Sequence, residues 1–164
     1  MIPRDGRIDQ IALLVADLEE AMQAYIDTFG VAFQFFQVDE TTSSFSGSSP
    51  QFKIRIAVAL AGLTSIELIQ PVSGVTLYSQ HLESRGPGLH HLGVYVDDLA
   101  EVKQALAARG YRTLLEGSIR DLGSFAYLEA PDLHCILEPL QLSVEFPLFL
   151  AENASWYSAN DNRT

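Results

Sequence analysis

A motif that occurs twice in one layout constrains the fold of this chain more than any other feature. Gln10–Leu18 (QIALLVADL) and His91–Leu99 (HLGVYVDDL) share a polar residue, an alternating apolar stretch, an acid, and a leucine that opens a helical pattern. Each is the signature of a strand that runs into an Asp-capped helix. Each copy then passes a glycine, Gly30 or Gly110, and closes on a short apolar strand carrying one acid: Glu67 in SIELIQ and Glu138 in CILEPL. A unit of this size that recurs is expected to stack on its copy and bury one shared core.

The first unit reads as βαβββ. A strand is expected over 8–16, then a helix from Asp17 with Leu18, Met22, Tyr25 and Phe29 on one face, stopped by Gly30. A β-rich stretch over 31–38 follows, then a Thr, Ser and Gly loop over 41–50, and strands over 52–60 and 65–70. The second unit repeats the order with a strand over 90–96, a helix capped by Asp97 or Asp98, and strands over 111–117, 123–129 and 133–139. The expected division is 1–72 for the first module, 73–87 for a connector with a short helix near 77–85, 88–140 for the second module, and 141–164 for a tail. The first half of that tail is expected to pack on the body or on a second subunit. The class is α+β.

Composition narrows the partners. Ten Lys and Arg against 21 Asp and Glu give a formal charge of −11 in 164 residues. Such a surface repels phosphate backbones and anionic lipid, so neither nucleic acid nor membrane is an expected partner, and a small molecule is. The N-terminus lacks the apolar core of a signal peptide, and no apolar run approaches membrane-spanning length, so a cytoplasmic location is expected. One cysteine, Cys135, leaves no internal disulfide and reads as a structural thiol.

The matched polar residues point to chemistry. Gln10 and His91 open equivalent strands, and Glu67 and Glu138 sit on equivalent closing strands. Two modules related by a pseudo-twofold axis would bring all four together. Imidazole nitrogen with amide and carboxylate oxygen suits a divalent cation such as Zn, Ni, Co or Mn, and two carboxylates would neutralise it. Acids on core strands are costly unless something compensates them. A metal so held would polarise a carbonyl and acidify the adjacent C–H. Strand alternation sends His90 and His91 to opposite faces, and His91 is the one that matches Gln10. Lys53 and Arg55 alternate on one strand and are candidate substrate-binding cations, as is Arg120 in a later loop.

The segments His81–Leu99 (HLESRGPGLHHLGVYVDDL) and Gln10–Gly30 (QIALLVADLEEAMQAYIDTFG) resemble the vicinal oxygen chelate superfamily of glyoxalases, bleomycin resistance proteins and extradiol dioxygenases. The connector and the double histidine are most similar to the methylmalonyl-CoA epimerase-like branch. The resemblance implies paired βαβββ modules forming an open, cup-shaped mixed sheet around a divalent metal. Its metal positions fall on Gln10, Glu67, His91 and Glu138, with Glu138 also the catalytic base. The function expected is a metal-dependent isomerase or lyase that abstracts a proton alpha to a carbonyl, with an acyl-CoA or other thioester substrate and a homodimeric assembly. Gln10 departs from the His usual in that branch, and the set Gln, Glu, His, Glu is similar to that of glyoxalase I. A lactoylglutathione lyase is therefore the first alternative, and a metal-free binding protein or biosynthetic cyclase the second. The stretch TTSSFSGSSPQ, where epimerases of this type place a second base, carries no acid; Asp39 and Glu40 lie at its near edge.

Overall fold

Between strand β1 (Gln10–Leu14) and helix α1 (Leu18–Phe29), Asp17 opens the helix: its backbone is extended, and its carboxylate accepts the Glu20 amide at 2.9 Å. Asp98 does the same between β6 (Gly88–Tyr95) and α3 (Leu99–Ala107), accepting the Glu101 amide at 2.9 Å, so Asp98 rather than Asp97 is the cap. Either contact satisfies an amide that the first helical turn leaves open. Gly30 closes α1 in the left-handed conformation, φ +68°, which a side chain resists. The computed structural model describes residues 7–41, 43–45, 51–146 and 155–157.

The remaining elements are β2 (Phe33–Asp39), β3 (Ser44–Phe45), β4 (Lys53–Ala61), β5 (Thr64–Ser73), α2 (Leu77–Arg85), β7 (Arg112–Ile119), β8 (Gly123–Glu129), β9 (Ile136–Leu142) and β10 (Ser155–Tyr157). Together the strands form one mixed sheet in the order β10-β2-β4-β5-β1-β6-β9-β8-β7-β3, curled into a half-barrel. At its centre β1 runs parallel to β5 and antiparallel to β6, and β6 runs parallel to β9. This is the seam between two like-built halves.

Alternation along each strand divides the residues between two faces. On β4, Ala57 and Ala59 join Leu18, Met22 and Ile26 of α1 on the convex side. Ile54 and Ile56 turn the other way and join Tyr78, Phe125, Tyr127 and Leu140 on the concave side. In the second half, Val102 and Leu106 of α3 pack on Ala126, Leu128 and Leu137. Two helices thus cover one face and leave the concave face to form a cavity. None of the helices among the described residues is long and apolar enough to cross a membrane.

Two segments differ from the sequence expectation. The loop expected over 41–50 contains β3, which pairs across the cup with β7 through Ser44↔Ser118 and Phe45↔Gly117. Ser44 Oγ and Ser118 Oγ lie 2.8 Å apart. The chain therefore crosses from the β2 edge of one half to the β7 edge of the other, roofing the concave side. Phe45 fixes this roof by stacking on Phe52, ring centroids 4.8 Å apart, and by meeting Phe125 edge-on at 5.7 Å. No local pattern announces a strand whose partner lies so far along the chain. The tail supplies β10, which adds to β2 through Trp156↔Gln34 and seats Tyr157 against the α1 core. Residues 42, 46–50, 147–154 and 158–164, including the end of the tail, lie outside the described residues.

Candidate functional site

The four central strands bring the four matched residues into two adjacent rows. In one, Glu67 on β5 stands beside Ala12 on β1, which stands beside His91 on β6. In the next, Gln10 on β1 stands beside Gly93 on β6, which stands beside Glu138 on β9. Residues two apart on one strand share a face, so all four side chains rise from the concave floor. Each row places a donor, a small residue and an acid side by side. The small residues leave room: a Cβ on Gly93 would fall 2.8 Å from both Cβ and Oε1 of Gln10. We expect Gly93→Ala to displace Gln10 and to cost about 1–3 kcal/mol of stability, measured by urea unfolding.

His91 Nε2 lies 2.9 Å from Glu138 Oε2 and 3.3 Å from Glu67 Oε2. These are ion-pair distances without hydrogen-bond alignment. His91 Nε2, Glu138 Oε2 and Gln10 Oε1 are all buried and have no hydrogen-bond partner. Buried polar atoms without an aligned hydrogen bond are costly, and an imidazole nitrogen, an amide oxygen and carboxylates on one buried floor are the donor types a divalent cation takes. Ligand bonds of about 2.0–2.2 Å hold neighbouring donors roughly 2.8–3.6 Å apart, from octahedral to tetrahedral geometry, a range that includes both distances from His91 Nε2 to the carboxylates. Among the described residues no three His, Cys, Asp or Glu side chains are arranged so that they could hold a metal ion by themselves, so the amide of Gln10 is needed to complete a ligand set. In a metal-free protein this floor holds a proton in the cation's place. Burial pulls the His91 imidazole down, but the carboxylates of Glu138 and Glu67 override it and leave its pKa at about 9. Burial pushes Glu138 above the usual carboxylate range, with His91 drawing it partly back.

The double histidine departs from simple alternation. Between β1 and β6 the register passes from Ala12↔His91 to Leu13↔Leu89, so His90 is the extra residue of a β-bulge. Bulges re-aim side chains beside functional sites. Both rings are consequently buried, with His90 Nδ1 2.9 Å from His91 Nδ1. Burial, then the neighbouring His91 charge, holds His90 near a pKa of about 2, so it is neutral. A neutral His90 that accepts from His91 Nδ1–H leaves His91 Nε2 free to ligate. Replacing His90 by Phe keeps the ring but removes the acceptor, and we expect metal affinity by calorimetry to fall about 10–100-fold. His90→Asn, which retains an acceptor, is expected to recover part of it.

Above this floor lies a cavity of about 380 Å³. Gln10, Glu67 and Glu138 reach it from below, beside Tyr78 and Tyr127. The two tyrosine hydroxyls are 2.6 Å apart and buried. Burial first, then the charge of Glu138, raises both phenols well above their usual value, so they remain protonated donors. A tyrosine inside an apolar run needs a partner for its hydroxyl, and that is the signal in FAYLE that points to Tyr127. Tyr78 comes from the connector helix and carries no comparable signal.

The candidate cations fare differently. Lys53 and Arg55 are not among the cavity-lining residues. Arg55 binds the Glu19 carboxylate of α1, donates to Gln70 Oε1 at 3.1 Å and lies over the Phe35 ring. It follows the alternation of Ala57 and Ala59 onto the convex side. Arg120, in the β7–β8 turn with φ +48°, does line the cavity. Asp39 and Glu40 are held away from it, Asp39 by the Thr41 amide and hydroxyl and Glu40 by the Phe52 amide. Among the described lining residues, Glu67 and Glu138 are the acids.

Comparison with known proteins agrees with this architecture. Methylmalonyl-CoA epimerase from Mycobacterium tuberculosis superposes with a TM-score of 0.64 at 20% identity, over 86% of this chain and 91% of that one. A hypothetical protein from Bacillus halodurans C-125 superposes at 0.61 with 18% identity, over 84% and 94%. By sequence, the uncharacterized protein YqjC of Bacillus subtilis is 30% identical over 62% of this chain and 66% of its own length. Mitochondrial methylmalonyl-CoA epimerase of Mus musculus is 26% identical over 66% of this chain and 56% of its own. The chain thus spans under two thirds of the length of these two relatives. The family model for the Glyoxalase/Bleomycin resistance protein/Dioxygenase superfamily matches residues 9–127, a span that takes in Gln10, Glu67 and His91 and stops short of Glu138. With its paired βαβββ halves, its curled sheet and this match over most of its length, the chain belongs to that superfamily.

Proposed function

We propose that this protein is a metal-dependent, epimerase-like isomerase or lyase that removes a proton alpha to a carbonyl. The observation that carries the reading is the presence on one cavity floor of Gln10 Oε1, His91 Nε2 and Glu138 Oε2, all buried and without an aligned hydrogen bond, with Glu67 and Glu138 both within ion-pair distance of His91. These four residues would hold a divalent cation, which when bound supplies Lewis-acid polarisation of the substrate carbonyl. Glu138 takes the proton: burial raises its pKa toward the range in which a carboxylate both accepts and returns one. Tyr127, kept protonated, faces the same floor as a hydrogen-bond donor. The apolar walls exclude bulk water, which strengthens each of these interactions.

With its acids confined to the floor, the described site removes and returns the proton on one face of the substrate. That favours a one-base transfer and gives weight to the lyase alternative that Gln10 suggests. An acyl thioester is the substrate class implied by the epimerase relatives, and a homodimer is the assembly that sedimentation should find. The experiment is elemental analysis of purified protein, followed by assay of the nickel-loaded form in D2O. Stoichiometric metal with solvent deuterium entering methylmalonyl-CoA supports the epimerase-like reading; turnover of the methylglyoxal–glutathione adduct supports the lyase. Protein that neither binds nickel, cobalt, manganese or zinc nor exchanges either substrate would sink the proposal.

A further inference from the structure

The cavity carries its acids at the floor and is mainly apolar elsewhere, with Gln37, Tyr95 and Arg120 as further polar lining residues. Phe36, Phe45, Ile56, Val58, Phe125 and Leu140 supply much of the wall. At the roof, Ser43 is 6% exposed, lines the cavity, and has no hydrogen-bond partner for its Oγ. Arg120 is the cation among the described lining residues. A buried hydroxyl without a partner is a cost that a bound acceptor would relieve. A wall of aromatic and branched side chains stabilises apolar surface in proportion to the area it removes from water. The space is at the lower end of small-molecule pockets and holds far more than a methyl group.

We infer that the substrate carries a bulky hydrophobic group, aromatic or branched, next to its reacting carbon, with an acceptor beyond that group for Ser43. This deepens the proton-abstraction reading by naming the side chain its substrate bears. A methyl-sized substituent on the reacting carbon would leave most of the cavity to water. Phe45 and Ser43 both belong to the segment that β3 pins to β7, so the same crossing that closes the cup defines its preference.

The test is a series of 2-oxo acids that differ only in side chain: pyruvate, 4-methyl-2-oxopentanoate and 3-phenylpyruvate, titrated into nickel-loaded protein by calorimetry. The expected order is phenylpyruvate tightest and pyruvate weakest, with about tenfold or more between the ends. Ile119→Trp, which adds bulk at a lining position, should narrow or erase the difference between phenylpyruvate and pyruvate; Val58→Phe is the second filling variant should the first fail to fold. Equal affinities across the series, no binding by any member, or a ranking that survives in a folded filling variant would overturn the inference. Repeating the series on chelator-treated protein separates the two readings. A ranking that persists in protein shown by elemental analysis to take up no nickel, cobalt, manganese or zinc leaves the side-chain preference standing while the metal-dependent reading fails. Ser43→Ala should weaken 4-hydroxyphenylpyruvate, which offers a distal acceptor, more than phenylpyruvate; equal weakening would remove Ser43 from the assignment.

Discussion

Nickel titrated into this protein at successive pH values, where Glu138 is ionised and up to about pH 9, should bind about tenfold more tightly for each unit of pH, with one proton released per metal. The cause is the floor of the cavity. In the metal-free protein His91 is protonated between Glu138 and Glu67, its pKa held at about 9 against the pull of burial, and a cation must displace that proton. The same group sets the stability of the metal-free form. A pKa raised from 6.5 in the unfolded chain means that the folded state binds the proton more tightly, so this stability is fully present below pH 6.5 and lost as pH climbs to 9. Glu138 is also raised, by burial, and works in the same direction from its unfolded value of 4.5 upward. Melting temperature of the metal-free protein should therefore fall between pH 6.5 and 9, and excess nickel should reverse the trend because it binds only the folded state. A metal affinity flat across this range would show that His91 is not the ligand.

The repeat made the scaffold legible because capping and periodicity are local. Asp17, Gly30 and the 77–85 helix fall where the pattern predicts, since each depends on neighbours within four residues. The room around the site is written in the same motif: QIA and HLG each set a small residue two places after a polar one, and those small residues, Ala12 and Gly93, flank His91 and Gln10 in the rows. What is not legible depends on pairing across the fold. Strand β3 exists because Ser44 and Phe45 meet β7. The bulge at His90 exists because β1 and β6 slip by one residue, and no alternation rule anticipates a slip. Arg55 looked like a pocket cation because spacing gives the face of a strand but not which face is concave; α1 and its Glu19 decide that.

Glu138→Gln should lower nickel affinity more than about a hundredfold, beyond what loss of an outer-sphere partner costs. The amide is close in shape to the carboxylate, so the row beside Gly93 stays filled and the circular dichroism spectrum should be unchanged. What disappears is one of two negative charges facing a dication, at a position only 4% exposed, where screening by water is weakest. Glu67→Gln should cost less. Glu67 lies farther from His91 Nε2, 3.3 Å against 2.9 Å, and its side chain is 12% exposed against 5% for Glu138. The two variants also separate binding from proton transfer. At nickel concentrations that saturate both, Glu67→Gln should retain solvent exchange at the substrate's acidic carbon while Glu138→Gln loses it, as the proposal of Glu138 as the base requires. Glu138 should also control the pH slope: without its charge the His91 pKa falls toward its ordinary value, and the tenfold-per-unit dependence should end at a lower pH than in the parent. A Glu138→Gln protein that keeps its metal, its exchange and its pH slope would show that Glu138 is neither ligand nor base.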